Sequence, residues 1–423
     1  MSDRSNRAPS PEGRTPFYGW YIVLGGFLIL VVDGGVRFSF GVLIKPLAAE
    51  FGWDRGSITL AYTVNMLVFG FGQFVAGRLL DRFGPRVLFS VSALIASVGL
   101  CLTAQTDSVL ELYLYYGVIT AIGVAGITIG VVSSTISRWF KSLRGLVVGV
   151  AVTGTSFGHF AIIPSLAFFM DQFGWRGAWV GLGILVSIVV VPLAAAVMKK
   201  EPADLSQLPY ETRADASAAT APGSSAVEIP PKEAFLSWSF LFVGATYFLC
   251  GFQDFFFVTQ FIPFATDSGL SSQHASNIQG VSGLLSFLGL LLFPALSERI
   301  GRGKPLSIMF LLRTVCFALF LSSPTELSIS MAALLMGFTL MATAPLAAAI
   351  AGDYFGVKNI GLITGAILWI HHTGGALGAY LGGLTYDMTG TYTIMFITAL
   401  LMAGAGIVTS LGIRPPKIQG VSV

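Results

Sequence analysis

Charge is scarce in this chain. Asp, Glu, Lys and Arg make up 11% of its 423 residues, while 54% are hydrophobic; a soluble domain carries about 25% charged residues. That balance excludes an ordinary soluble globular protein and predicts a polytopic one, immersed in a lipid bilayer. Cysteine is nearly absent. Cys101, Cys250 and Cys316 sit in apolar runs with neither metal-ligand spacing nor a disulfide pattern, so they are expected to be inert. No metal site is predicted, and the adjacent His371 and His372 have no metal-ligand geometry by themselves. Basic residues are scattered over short loops and the formal net charge is only +3, which argues against a nucleic-acid partner. Nothing resembles GxxxxGK[ST], so no nucleotide-binding loop is indicated, and no cofactor is expected.

Long apolar runs are what the chain does have. About 20 apolar residues span a bilayer as a helix, and on that ruler twelve spans are predicted, at 17–44, 57–79, 86–105, 110–137, 145–169, 177–198, 237–265, 274–297, 305–322, 327–351, 360–385 and 391–413. The run from Phe17 is too long for a signal peptide's apolar region, so residues 1–16 read as a cytoplasmic tail. Arg78, Arg82, Arg86, Arg138, Lys141, Arg144, Arg299, Arg302 and Lys304 fall in loops on one side, with Arg4, Arg7, Arg14, Lys199, Lys200, Arg213, Lys232, Lys358, Arg414 and Lys417. The opposite loops hold Arg55 and Arg176, with Lys45 near a helix end. The bias predicts that both termini are cytoplasmic. Residues 199–235, rich in Ala, Ser, Pro and charge, read as a linker between six-span bundles at 17–198 and 236–413, with 414–423 as a second tail.

The bundles are internal repeats. A shift of 217 places Pro263 on Pro46, Asp267 on Glu50, Gly269 on Gly52, Arg299 on Arg82 and Gly301 on Gly84; a shift of 216 places Gly365 on Gly149, Asp387 on Asp171 and Gly390 on Gly174. The expected fold is therefore an all-α membrane protein of twelve transmembrane helices in two pseudo-symmetric six-helix bundles.

The loop GRLLDRFGPR (77–86), repeated as LSERIGRGK (296–304), resembles the signature loop of the major facilitator superfamily. The resemblance implies a gating role on the cytoplasmic face for Asp81 and Arg82. At the front of the chain, YGWYIV (18–23) and SFGV (39–42) look like the first span of monocarboxylate-transporter-like members and the neighbouring oxalate:formate exchangers. This closer resemblance implies alternating-access transport of a small monocarboxylate or related organic anion, with a proton or by exchange. The protein is thus expected to be a transporter and no enzyme, monomeric, in a bacterial inner membrane. The chain departs from the pattern in two places: Phe38 separates the helix-1 basic residue from SFGV, and helix 8 has no basic residue after His274.

Within the spans, Asp33 and Arg37 lie four apart and share a helix face. Intramembrane charges of this kind usually face a bundle interior. The repeat register sets Asp254 opposite Arg37, which predicts that Arg37 pairs with Asp33 or Asp254 when empty and with a carboxylate ligand when loaded; a permanent structural pair is the other reading. Asp33, Asp254 and His371 are candidates for proton coupling, and Arg37, Asn65, Tyr116, Gln253 and His372 for substrate binding. His372 falls near the helix-11 lysine of the exchangers. Each has a plainer alternative: an interhelix bond for the histidines, the interfacial aromatic belt for Tyr116. His159 reads as structural, and Arg313 as snorkelling or bonded to a neighbouring helix. An aromatic wall of Phe252, Phe255, Phe256 and Phe257 suggests a second transport reading, export of amphipathic anions or drugs. A non-transporting sensor or assembly partner on the same fold is the reading from another class.

Overall fold

A computed structural model of the chain describes residues 17–205, 207–210, 229–322, 324–356 and 359–416. Among these, ten helical rods are long and apolar enough to cross a membrane. Two are too long for one crossing: Arg55–Thr103 has 49 residues and Arg144–Val197 has 54, roughly 75 to 80 Å of helix against about 30 Å of hydrocarbon. Each turns back at a glycine in the left-handed region, Gly84 (φ 77°, ψ 168°) and Gly174 (φ 68°, ψ 171°), a conformation in which a side chain is strained.

Twelve spans result. They are α1 (Gly19–Phe51), α2 (55–83), α3 (85–103), α4 (Val109–Trp139), α5 (144–173), α6 (175–197), α7 (Trp238–Asp267), α8 (Ser272–Ile300), α9 (Gly303–Leu321), α10 (Glu326–Phe355), α11 (Ile360–Thr389) and α12 (Thr393–Leu411). The first helix outlasts its predicted span and runs past Pro46 to Phe51, because hydropathy locates the membrane and not the helix end.

Three spans are interrupted. α1 breaks at Ser39, whose hydroxyl donates back to Val36 O at 3.0 Å. α4 breaks at 126–128 and α10 at the repeat-related 341–342, where Pro345 stands in the first turn of the second segment and its missing N–H costs nothing. α4 also carries a π-helical turn, Tyr113–Thr120.

The repeat is visible in the backbone. Six of the seven left-handed glycines among the described residues fall in repeat-related pairs, Gly52 with Gly269, Gly84 with Gly301 and Gly174 with Gly390. So does packing: a methyl group on Gly158 of α5 would overlap the carbonyl oxygen of Val31 in α1, and one on Gly374 of α11 that of Phe248 in α7. Between the halves, α2 lies along α11, α5 along α8, and α1 against α7, where a Cβ on Gly41 would stand 2.8 Å from Val258 O.

Residues 206 and 211–228 of the predicted linker, with Arg4, Arg7, Arg14, Arg213, Lys358 and Lys417 of the charge pattern, lie outside the described residues. The linker's described edges dock on opposite halves: Tyr210 N donates to Trp139 O at 2.9 Å, and Ile229 N to Phe355 O at 3.3 Å.

Candidate functional site

Arg37 stands two residues before the break in α1, partly exposed among buried neighbours. Its guanidinium carbon lies 4.4 Å from the ring centre of Phe69 on α2 and 5.7 Å from that of Phe38. Such cation–π contacts contribute up to about 2 kcal/mol when desolvated. Arg37 NH2 donates to His372 Nε2 at 3.3 Å, across the seam from α1 to α11. The imidazole is oriented from its other side by Leu368 O, 2.7 Å from Nδ1. A carbonyl only accepts and a guanidinium only donates, so Nδ1 carries the hydrogen and Nε2 the lone pair: His372 is neutral in this arrangement. Arg37 Nε is buried without a partner, and no described acid lies within ion-pair distance of this residue.

The predicted partners of Arg37 are elsewhere. Asp33 is fully buried one turn away, and neither carboxylate oxygen has a hydrogen-bond partner among the described residues. Asp254 does not face Arg37. Its Oδ1 forms an ion pair with Arg313 NH2 at 2.6 Å, outside hydrogen-bond alignment, and its Oδ2 lies 3.1 Å from His371 Nε2. The register failed here for a local reason: α1 breaks at Ser39 whereas α7 runs unbroken, so related positions meet different neighbours. Arg313 takes the second of its two readings, bonded to neighbouring helices; besides Asp254 it donates to Thr339 Oγ1 at 3.0 Å, Cys250 O at 3.2 Å and Gln253 Oε1 at 3.3 Å.

Cys250, Asp254 and His371 bring ligand-type atoms within 4.8 Å of one another. Arg313 NH1 is 3.2 Å from the same sulfur, so a permanent positive charge already occupies that place. Removing one partner of a buried pair leaves an uncompensated charge, at a cost of about 3–5 kcal/mol. Arg313→Met and Asp254→Asn should each lower the melting temperature of the purified protein sharply. Combined, they should cost less than their sum; strict additivity would show that the pair is not coupled.

The other candidates separate. Asn65 Nδ2 donates to Tyr116 O at 2.7 Å, and Tyr116 stacks on Phe40 with ring centres 4.6 Å apart, 2% exposed; this knot ties α2 to α4 and α1, so Tyr116 is not in an interfacial belt. Gln253 binds Ala399 O of α12 at 2.9 Å, on the interior side of the second half. The aromatic wall divides too. Phe255 stands 5.9 Å from His372, while Phe256 and Phe257 pack among Phe396 and Phe320. His159 lies fully buried in the α5–α8 seam, stacked on Phe38 at 4.7 Å.

The spans end in ionic clusters. At one end Arg138 of α4 donates to Asp81 at 2.6 Å, Lys200 reaches Asp81 O at 3.1 Å, and Arg82 lies 5.1 Å from the Phe83 ring. The opposite, Asp267 end holds a cluster the sequence did not single out. Arg55 donates to Asp267 at 2.7 and 3.2 Å and to the Tyr392 hydroxyl at 2.6 Å, and Lys45 to Asp267 at 2.9 Å. Asp387 accepts from the backbone N–H groups of Arg55 and Gly56 at 2.9 and 2.6 Å, capping α2 from the other half of the molecule. The Tyr392 hydroxyl in turn donates to Gln260 Oε1 at 3.0 Å. The signal for this cluster was available in Arg55 and Lys45, two of the few basic residues on that side, and in Asp267 and Asp387, which the repeat register matches to the acids Glu50 and Asp171.

All described polar contacts between the halves lie from the centre to the Asp267 end: Arg37–His372, Thr63 with Ala376 O, Ser156 with Ser286, Gln273 with Pro164 O and the Arg55 cluster. Toward the Asp81 end, a Cβ on Gly145, Gly149 or Gly361 would meet nothing within 4 Å. Twelve membrane-crossing helices in two repeated halves, closed at one end round a buried polar centre, define a membrane transporter. The chain belongs to the Major Facilitator Superfamily, whose family model matches residues 26–271 and 243–422. It is similar to monocarboxylate transporter 13 of Bos taurus, 27% identical over 410 residues (96% of this chain, 91% of that one), and to the uncharacterized MFS-type transporter YcxA of Bacillus subtilis (strain 168), 27% identical over 407 residues (94% and 95%). Among solved structures, a D-xylose-proton symporter shares the fold with a TM-score of 0.73 at 14% identity, covering 94% of this chain and 98% of that one. The nucleoside transporter NupG does so with a TM-score of 0.67 at 16% identity, with the same coverage.

Proposed function

We propose that this protein is a secondary transporter of a small monocarboxylate or related organic anion, working by alternating access with a proton or by exchange and without chemically altering its cargo. The observation that carries this reading is Arg37: a permanent cation at the seam between the halves, with one neutral acceptor and no described acid in reach. A carboxylate supplies the missing charge and a bidentate pair of acceptors. Similarity to monocarboxylate transporters supports the same choice. In this reading the halves are 17–198 and 236–413, joined by a linker at 199–235 and flanked by tails at 1–16 and 414–423. The basic Asp81 end faces the cytoplasm with both termini, the protein works as a monomer in a bacterial inner membrane, and the conformation described is closed to the outside.

Proteoliposomes loaded and unloaded with labelled lactate, formate and oxalate, with and without a pH gradient, test the reading. At least one acid should be taken up or exchanged above protein-free vesicles. If none moves under any gradient, the reading fails.

A further inference from the structure

We propose that His372 is the proton-coupling residue, and that proton and substrate are linked because His372 and the substrate compete for Arg37. The inference rests on the carboxylate-transport reading and assigns a role within it.

Arg37 and His372 form their contact only while the imidazole is neutral, because Nε2 must present a lone pair to Arg37 NH2 at 3.3 Å while Nδ1 donates to Leu368 O at 2.7 Å. A proton arriving at Nε2 fills that lone pair and sets an imidazolium against a guanidinium. Neither then has an acceptor in the other, and the contact breaks. Two donors and two positive charges face the same space, which a single carboxylate bridges, pairing with the Arg37 guanidinium and accepting from His372 Nε2–H on one of its oxygens as well. Proton and anion thus load together as a neutral sum. On the far side the proton leaves Nε2 for water, the carboxylate loses one of its two donors, and Arg37 returns to the lone pair. No bond other than N–H is made or broken.

The surroundings favour His372 over Asp254 and His371. The side chains packed on it are Arg37 from α1, Phe69 from α2 (ring centres 5.3 Å), Phe255 from α7 (5.9 Å) and His371 on its own helix (5.6 Å). Of these only Arg37 and His371 carry or can take charge, and His371 is turned to Asp254 at 3.1 Å, whose other oxygen Arg313 holds at 2.6 Å. Asp254 and His371 are thereby committed to the second half. His372 is bonded across the seam, from α11 to α1, where a change of protonation bears directly on how the halves hold together.

The experiment uses full-length protein in proteoliposomes and an acid that it exchanges. His372→Gln keeps an acceptor for Arg37 but no titratable nitrogen. Normalised to its own labelled counterflow, it should lose pH-gradient-driven accumulation at least tenfold, with a flat pH profile for exchange. His371→Gln should keep the pH dependence. The proposal is overturned if His372→Gln still accumulates substrate on a pH gradient, or if Asp33→Asn abolishes accumulation while His372→Gln does not. Should His372→Gln fail to fold, His372→Asn in the same assay keeps the test open, and gradient-driven accumulation by that variant overturns the proposal equally. Absence of any acid transport by the parent protein would instead sink the carboxylate reading itself.

Discussion

Replacing Arg37 by Gln should abolish transport of an anionic substrate and leave the protein as stable as before, or more so. Two charge-assisted hydrogen bonds to a carboxylate contribute roughly 1.5–3 kcal/mol each, so their loss weakens binding by about 10²- to 10⁴-fold at 1.4 kcal/mol per tenfold. The second half of the expectation comes from what Arg37 lacks. No described acid pairs with it, its Nε has no partner, and its one polar side-chain contact is with a neutral imidazole. Removing the charge therefore breaks no ion pair, in contrast to Arg313, whose removal leaves Asp254 buried without its ion-pair partner. Arg37→Lys should fall between, keeping charge but losing the planar fork. Labelled counterflow and thermal melting on the same preparations check both halves. Retained uptake in Arg37→Gln would remove the central cation from the mechanism, and a stability loss as large as that of Arg313→Met would make Arg37 structural.

That contrast also shows what the sequence could and could not tell. The twelve spans and the repeat were legible because they rest on run length and on glycines with a backbone duty: Gly84 and Gly301 turn the chain in the left-handed region, and a side chain there would be strained. The charge pair in α1 was legible as intramembrane. Its partners were not, because pairing depends on helix rotation, and a break such as Ser39 in one repeat and not the other cannot be seen in a register of matched letters. The same limit explains Arg313 and Gln253. Both looked peripheral or cavity-facing by helix number, yet they meet each other at 3.3 Å inside the second half. His371 and His372 are adjacent on one helix and so point about 100° apart, and that angle is what sends one to Asp254 and the other to Arg37.

Loosening the Arg55 cluster should move the resting conformation. Asp267 and Asp387, both from the second half, hold α1 and α2 of the first through Lys45, the Arg55 side chain and two backbone N–H groups at the start of α2. Their counterparts in the other repeat, Glu50 and Asp171, do not bridge the halves in this way: Glu50 accepts from Trp175 and Arg176 of its own half. The bridge is thus asymmetric and must come apart whenever the Asp267 end opens. The Arg55 and Asp267 side chains are 11% and 25% exposed, so each charge-assisted bond is worth about 1–2 kcal/mol after allowance for solvent screening. Asp267→Asn with Asp387→Asn should then shift the population by ten- to a hundredfold toward a form open at that end. Thr59, fully buried beneath the cluster where α2 meets Gly383 of α11, is a suitable reporter as cysteine. A membrane-impermeant maleimide should label Thr59→Cys at least tenfold faster in the double variant, while Ser134→Cys, exposed in the half of α4 nearer the Asp81 end, should label more slowly. Equal rates in both backgrounds would show that the cluster closes the surface without setting the balance between conformations.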